Sequence, residues 1–323
     1  MRRESLLTVS VALLLAACGG SGGDNAVVSP DPTLAIDSSN AVPVSKAAYG
    51  SARSADGLGG MTGSGPFTGS APGGVSKADL AIAAATKNGG GEANVPIPPE
   101  TTPCGVDGTQ TISGQIADPI TPTLTAGDFF EIAYNACDDG LGDVIDGVMR
   151  MDIVSFSGDL LTQMFDMTVK LTLNTYQVTT GQDVLTSHGD ATVTVNTLTT
   201  PAMSTSLRGN SMRTDSNSNT ETLTNFTAAS TVNLGLVPSP YTMSSSGTLD
   251  SSELDGIIRY STPVEFAGFD SNYPDSGELL VVGAESSLRL IAVDNVNVTI
   301  ELDTDGDGTV DETIQTTWQE IAG

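Results

Sequence analysis

Apolar and polar residues alternate with a period of two over several stretches of this chain. The clearest stretch covers residues 165–173, where the odd positions are apolar and the even positions are polar. Its apolar residues are Phe165, Met167, Val169, Leu171 and Leu173. The same alternation recurs over 145–153, 191–195 and 296–302. This period is typical of antiparallel β-strands that bury one face and expose the other to solvent.

Short turn-forming pairs separate these stretches. They include Asp139-Gly140, Asp255-Gly256 and Asp294-Asn295. These residue types tolerate the positive φ angles of tight hairpins. No helical period of apolar residues appears after Pro103. We therefore predict an all-β domain over residues 104–323, an antiparallel meander of about 10–13 strands that forms a sandwich or a partly open barrel.

The amino-terminal residues have the composition of an export signal. Two arginines precede an apolar run over 6–17 that is too short to span a bilayer and stops at small residues. The segment from Leu15 to Gly19 resembles a bacterial lipobox, at which a signal is cut before a cysteine that receives lipid. The resemblance implies that residues 1–17 are a lipoprotein signal peptide, that Cys18 carries acyl chains such as palmitate, and that the protein is sorted to the outer membrane. The alternative is an ordinary export signal from which Cys18 is discarded.

Residues 18–103 are rich in glycine, serine, alanine and proline and contain few aromatic residues. Such a composition does not bury enough apolar surface to offset the entropy of ordering the chain. We therefore predict a lipid-anchored disordered tether over this segment, interrupted by one short helix over residues 77–87. The helix is indicated by a capping-box-like pair, Ser76 and Asp79, ahead of an alanine-rich run.

The charge balance limits the partners of the protein. Lysine and arginine number 12 against 39 aspartate and glutamate residues, for a formal net charge of -27. Nucleic-acid binding relies on clustered cations, so this balance excludes a nucleic-acid partner. The expected partners are the membrane, through the lipid anchor, and a component of the envelope or the extracellular space.

Two cysteines, Cys104 and Cys137, remain once Cys18 is assigned to lipid. An exported chain meets an oxidising compartment, so we predict that these two form a disulfide. The bond would join the start of the β-domain to the end of a strand over residues 129–137. The alternatives are two buried free thiols or a metal site, and a metal site would lack a further cysteine or histidine at ligand spacing.

The most informative motif is the acidic segment DTDGDGTVDE at residues 303–312, with carboxylates at positions 1, 3, 5 and 9 and glycine at position 6 of an EF-hand-type loop. We predict that this loop binds calcium in a structural role. The predicted ligands are Asp303, Asp305, Asp307, Asp311 and the carbonyl of Thr309, with Glu312 as a further candidate. Ile314 replaces the glutamate of position 12, so we expect weak affinity, with a Kd of about 10⁻⁴–10⁻³ M. The alternative is a solvated acidic hairpin.

The inventory of catalytic side chains is thin. The single histidine, His188, shares a strand face with Asp190, whereas Ser187 points to the other face. Acidic residues are so abundant that no pair stands out as the two carboxylates of a glycosidase. We therefore predict that the protein is not an enzyme. A second acidic cluster over residues 138–146 matches no standard metal loop and is interpreted as a solvated hairpin tip, with an opportunistic cation site as the alternative.

Together with the lipobox and the acidic loop, several segments make the chain resemble a family of largely uncharacterised bacterial envelope lipoproteins. They are residues 127–130, 135–137 and 276–279, and residues 303–311 followed by Trp318. The resemblance carries no catalytic residues to this chain.

These patterns lead to three interpretations of function. The first is a non-enzymatic, lipid-anchored β-domain with a structural or binding role, facing the periplasm or the cell surface. The second is a carrier of an apolar ligand in a half-open barrel, which would give a ligand-facing role to Met149, Met151 and Met167. We interpret these methionines as core filler, since they share the apolar phase of their strands. The third interpretation is a carbohydrate-active hydrolase.

Overall fold

The computed structural model describes part of the chain. The described residues are 29–64, 95–117, 123–159 except 139 and 141, 162–269 except 163, 200 and 218, and 272–322. The predicted signal peptide over 1–17, the lipidation site Cys18 and the predicted short helix over 77–87 lie outside them. No described helix combines the length and the apolar character needed to cross a membrane.

Fourteen strands and two helices form the regular structure of the described residues. The strands are β1 (Val95–Pro103), β2 (Asp107–Ile116), β3 (Phe129–Asp138), β4 (Asp143–Asp159), β5 (Met164–Thr180), β6 (Asp183–Asn196), β7 (Ala202–Ser216), β8 (Asn219–Asn233), β9 (Pro240–Ser251), β10 (Gly256–Phe269), β11 (Ser276–Gly283), β12 (Ser286–Ala292), β13 (Asn297–Asp303) and β14 (Glu312–Thr317). The helices are α1 (Ala41–Ser64) and α2 (Trp318–Ala322).

All fourteen strands belong to one open sheet with β1 at one edge and β14 at the other. Each strand pairs with its neighbours in sequence, and every pairing is antiparallel. The predicted all-β antiparallel meander is therefore confirmed. The structure has more strands than the expected number, partly because the sheet begins at Val95 and not at residue 104, and the strands form one sheet and not two stacked ones.

The alternation in the sequence matches the two faces of the sheet. In β5, Phe165, Met167, Val169 and Leu171 have no exposed surface, whereas the residues between them are partly or fully exposed. The buried face joins a single hydrophobic core that extends across the strands. The apolar period predicted these strands because successive side chains of an extended backbone point to opposite faces.

Helix α1 covers the buried face of the sheet. It contacts β6, β7, β8, β9, β11 and β12, so the sheet curves around it. Four small residues of the helix, Ala41, Val44, Ala48 and Ala52, have no exposed surface. Their size lets the helix backbone approach these strands closely, which fills this part of the concave side of the sheet.

An aromatic cluster fixes the position of α1. The ring of Tyr49 lies 5.5 Å from the ring of Phe266 and 4.7 Å from that of Trp318. The ring of Trp318 also stacks on Tyr273 at 6.0 Å, and its indole N–H donates to the carbonyl oxygens of Pro274 and Asp294. The single tryptophan thus joins α2, α1 and the sheet.

The segment before α1 is bound to the sheet by its backbone. The N–H of Thr33 donates to the carbonyl of Ile257 at 3.0 Å, and the N–H of Ile36 donates to the hydroxyl of Ser286 at 2.8 Å. Ile36 is 1% exposed. Further towards the amino terminus, the hydroxyl of Ser29 accepts a hydrogen bond from the side-chain amide of Asn225 in β8.

These contacts correct the predicted tether over residues 18–103. Residues 29–64 and 95–103 of that segment are ordered parts of the domain, as the lead-in to α1, α1 itself and β1. The prediction is wrong over these residues because it judged the segment by its own apolar content. Small residues such as alanine suffice for burial when a distant sheet supplies the complementary apolar surface.

The predicted disulfide between Cys104 and Cys137 is present, with their Cα atoms 5.4 Å apart. Cys104 directly follows β1, and Cys137 lies near the end of β3. The bond therefore ties the edge of the sheet to a strand two positions away. The backbone N–H of Cys104 also donates to the carbonyl of Gly108 in β2.

Candidate functional site

The acidic loop between β13 and β14 brings three carboxylates together. Asp303 ends β13, Asp305 lies in the loop, and Asp311 directly precedes β14. One oxygen from each of the three lies within 4.8 Å of the others. A hairpin that joins two paired strands returns the chain on itself, which is why residues eight apart in sequence meet here.

Asp303 organises the loop from its first position. Its two carboxylate oxygens accept hydrogen bonds from the backbone N–H groups of Gly306 at 2.7 Å and Gly308 at 3.0 Å. Both glycines have left-handed backbone angles, with φ of 73° and 86°. Residues with a Cβ atom adopt this region at a cost, so the two glycines allow the turn that folds the loop over Asp303.

Asp311 closes the loop from its other end. One of its carboxylate oxygens accepts hydrogen bonds from the hydroxyl of Thr304 at 2.7 Å and from the N–H of the same residue at 2.8 Å. These bonds favour the charged form and lower the pKa of Asp311 below its ordinary value. The group is therefore ionised at neutral pH, as a cation ligand must be.

The other predicted ligands are arranged differently. Asp307 lies outside the group of three, and one of its oxygens accepts hydrogen bonds from the N–H of Thr309 at 2.8 Å and from the hydroxyl of that residue at 2.6 Å. Ile314, at the position of the missing glutamate, lies in β14 opposite Ile300 of β13. The second strand begins before position 12 and places that residue in the sheet, so the chain cannot complete an EF-hand.

Three clustered carboxylates are hard oxygen donors of the kind that calcium binds. Asp303 is partly buried, and Asp305 and Asp311 are exposed to solvent. The arrangement offers a partial coordination shell open to water on one side. It can hold a cation through three side chains, and it brings together three of the four aspartates predicted as ligands.

The second acidic cluster uses its carboxylates in local hydrogen bonds. One oxygen of Asp138 accepts from the N–H of Gly140, and one oxygen of Asp146 accepts from the N–H of Ala136. The hydroxyl of Thr180 donates to Asp143 across the sheet. These contacts match the interpretation of residues 138–146 as a hairpin tip.

His188 and Asp190 bind different partners. The Nδ1 atom of His188 accepts a hydrogen bond from the backbone N–H of Thr175 at 3.3 Å. The carboxylate of Asp190 forms an ion pair with Lys170, also at 3.3 Å. Both groups thus make structural contacts across neighbouring strands.

Met149, Met151 and Met167 are buried in the core that α1 also joins, and each is at most 5% exposed. This burial confirms their interpretation as core filler. The concave side of the sheet, where a carrier would hold an apolar ligand, is occupied by α1 along β6 to β9.

A groove of about 500 Å³ crosses the outer face of strands β5 to β9. Six of its lining residues carry hydroxyl groups: Thr168, Thr192, Thr194, Ser206, Thr227 and Ser244. Arg208 supplies a guanidinium group, and no carboxylate of the described residues pairs with it. Hydroxyls and one free cation suit a polar ligand that carries oxygen acceptors. No local sequence pattern indicates this groove, because its residues come from five strands.

Glu221 is a titratable group that the sequence pattern did not single out. Partial burial raises its pKa, and the nearby negative charge of Glu253 raises the pKa further. Glu253 itself accepts a hydrogen bond from the side-chain amide of Asn219 at 3.2 Å. The two glutamates are 32 residues apart in sequence and meet through the pairing of β8 with β9.

Fold and site together define a class: an all-β domain in which one disulfide-bonded sheet curves around a helix and carries an acidic loop at a strand end. Comparison with protein-family models, curated proteins and solved structures found no match to this chain.

Proposed function

We propose that this protein is a non-enzymatic, lipid-anchored domain of the bacterial outer membrane with a structural or binding role. It would belong to the family of envelope lipoproteins that its sequence resembles. The observation that carries the proposal is the position of α1, which packs on the concave side of the sheet along β6 to β9 and against β11 and β12. A filled interior favours a module that acts through its outer surface over a carrier.

The absence of catalysis is part of the proposal and has two supports. His188 and Asp190 are engaged with separate partners, which argues against a hydrolytic triad. Among the described residues, the raised pKa of Glu221 beside Glu253 favours the carbohydrate-active alternative. The groove on the outer face does not include either glutamate, so these carboxylates lack a shared substrate site there.

The binding role would fall to the hydroxyl-lined groove. Its polar lining and the free guanidinium of Arg208 suit a component of the envelope with hydroxyl or acidic groups.

Lipid anchoring is tested on the full chain, expressed with its own leader in a bacterial host. We expect the wild-type protein in the membrane fraction, released by detergent, with a mature terminus at Cys18 whose mass includes acyl chains. A Cys18→Ala variant should carry no lipid. A mature terminus at another residue without fatty acid would show that the anchor assignment is wrong.

Calcium binding at the acidic loop is tested by thermal unfolding. With a Kd of about 10⁻⁴–10⁻³ M, 10 mM calcium should stabilise the folded protein by roughly 1.4–2.7 kcal/mol and raise its Tm by several degrees. The Asp305→Asn variant, which alters one member of the trio, should lose most of this increase.

Asp307→Asn is the matched control, because Asp307 lies in the same loop outside the trio. It should keep most of the calcium-dependent rise in Tm. Equal responses of the wild-type protein and the Asp305→Asn variant would contradict the calcium assignment, as would an equal loss in both variants.

A further inference from the structure

The hairpins at one end of the sheet expose apolar side chains. We call this end the apolar rim and define it by Leu198 in the β6–β7 loop, Leu234, Leu236 and Val237 in the β8–β9 loop, and Phe269 at the end of β10. Val237 is 98% exposed, Leu234 61% and Leu236 55%. Neither loop, 197–201 or 234–239, contains a charged residue. Contiguous exposed apolar residues of this kind mark interaction surfaces.

The two loops of the rim are held in one place. The backbone N–H of Leu234 donates to the carbonyl of Pro201 at 2.9 Å, which joins the β8–β9 loop to the β6–β7 loop. The hydroxyl of Ser239 donates to the carbonyl of Leu236 at 3.1 Å. The first bond holds the two loops together, and the second closes the β8–β9 loop that carries Leu236 and Val237.

The opposite end of the sheet is strongly acidic. Its hairpins carry Asp143, Asp183, Asp215, Glu253, Asp255 and Glu285, beside the loop at 303–312. The two ends are separated by the length of the central strands, which is about 50 Å for 15 residues such as those of β8. The hairpins of the rim end carry fewer carboxylates, among them Asp159, Asp275 and Asp294, so negative charge is concentrated at the opposite end.

The entry point of the chain puts the apolar rim within reach of the proposed anchor. Ser29 is bound to Asn225 in β8, and the strand continues for eight residues to Asn233 at the apolar rim, about 27 Å away. Ten residues lie between Cys18 and Ser29, and the eleven Cα–Cα steps that join them can span at most about 36–40 Å. This length would reach either end of the sheet, so the charge distribution decides which end faces the lipid.

We propose that the apolar rim docks on the membrane surface, with Leu234, Leu236 and Val237 inserted at the boundary between headgroups and acyl chains. The proposal rests on the proposed lipid anchor for its orientation. Apolar side chains gain by leaving water for the lipid interface, whereas the acidic end is repelled by anionic headgroups and faces away. A second copy of the chain or a protein partner on the rim would be the competing occupants.

The test places a fluorescent reporter at each end of the molecule. Val237→Trp reports on the apolar rim, and Val310→Trp, in the acidic loop and 51% exposed, is the matched control. Trp318 is fully buried and adds the same background to both. The full chain is expressed with its own leader and purified from the membrane or the soluble fraction, whichever contains it. Membrane-bound protein is reconstituted in phosphatidylcholine vesicles, and soluble protein is added to them. The vesicles are prepared with and without brominated acyl chains.

We expect the emission of V237W to shift to the blue with vesicles and to fall about twofold with brominated lipid, because the side chain lies near the acyl chains. The emission of V310W should neither shift with vesicles nor fall with brominated lipid. Adding Leu236→Asp to V237W should remove most of the quenching, since a charge at this depth opposes insertion. Anionic lipid should weaken the docking of unanchored protein at low salt and less so at high salt.

Three results would overturn the proposal: no quenching of V237W, equal quenching of V237W and V310W, or a blue shift that follows protein concentration without lipid. The last result would assign the rim to self-association. Mass spectrometry of the amino-terminal peptide is carried out on the same samples. It shows whether Cys18 is lipidated, independently of the fluorescence result. An unlipidated chain whose V237W emission still responds to vesicles would support the rim and contradict the anchor.

Discussion

Glu221 shows how a single side chain can make the stability of this sheet depend on pH. Its carboxyl group is partly buried between β7 and β9 and lies near Glu253, and both features raise its pKa above the ordinary value of 4.5. In the unfolded chain the group is solvated and has its ordinary pKa. Ionised Glu221 therefore opposes folding.

We predict that Glu221→Gln raises the Tm at pH 7 and has little effect near pH 4. The folded state binds the proton of Glu221 more tightly than the unfolded state does. The stability contributed by protonated Glu221 is therefore fully present below the ordinary pKa. That contribution is lost as the pH rises through the higher folded pKa. Thermal unfolding of both proteins between pH 4 and pH 8 measures the difference, with Glu312→Gln as an exposed control. A Tm difference that is constant with pH would contradict this account.

The aspartates of the acidic loop are a second case in which individual side chains decide the outcome. Local spacing predicted that carboxylates would converge at residues 303–311, and Asp303, Asp305 and Asp311 do so. Spacing alone could not distinguish Asp307 from these three ligand candidates. The carboxylate of Asp307 instead accepts hydrogen bonds from Thr309, two residues further along the loop. Ligand choice within a short loop depends on such bonds as much as on residue type.

At the scale of elements, the disulfide and helix α1 stabilise the sheet in different ways. The Cys104–Cys137 bond limits the conformations of the unfolded chain between these two residues, whereas α1 contributes buried apolar surface in the folded protein. The first effect depends on loop length and the second on packing.

We predict that the double variant Cys104→Ser, Cys137→Ser loses about 3.5–4 kcal/mol of unfolding free energy, the loop-entropy value for a separation of 33 residues. Urea unfolding measures the loss. A reducing agent should lower the stability of the wild-type protein to that of the variant and leave the variant unchanged. A loss below about 1 kcal/mol would indicate that the bond constrains little of the unfolded chain.

At the scale of the whole molecule, the ordered domain begins before its β-sheet. Residues 29–64 lie across the strand ends and along the concave face, far from the edge strand β1 that follows them in sequence. The sheet alone would therefore leave a large apolar face uncovered. Exposed faces of this kind cause aggregation.

We predict that a chain covering residues 104–323 does not unfold cooperatively and binds a hydrophobic dye, whereas a chain from residue 24 to 323 melts in one transition. The reason is the loss of α1 from the concave face and of β1 from the sheet. Should the shorter chain fail to express, Tyr49→Ala in the longer one provides the second measurement. It removes a ring packed on Phe266 and Trp318 and should cost about 3–5 kcal/mol. Equal Tm values for both chains would contradict this prediction.

The sequence by itself determined the features that depend on neighbouring residues. The period-two alternation established the strands, as in β5, and tight-turn residues established the sequential hairpins that make the meander. The spacing of aspartates located the acidic loop. These features were predictable because backbone geometry links them to residues only a few positions apart.

Only the tertiary structure decided what depends on distant partners. It ordered α1, whose burial comes from strands more than 100 residues away, and it joined the loop of Leu198 to that of Leu234 at the apolar rim, through the bond from Leu234 to Pro201. The composition of residues 18–103 did not indicate that α1 is ordered. The apolar residues of the rim lie in separate loops, so the sequence did not indicate that they share one end of the sheet. The physical reason is that burial and surface patches are properties of the assembled sheet, and no short segment of the chain contains both sides of the contact.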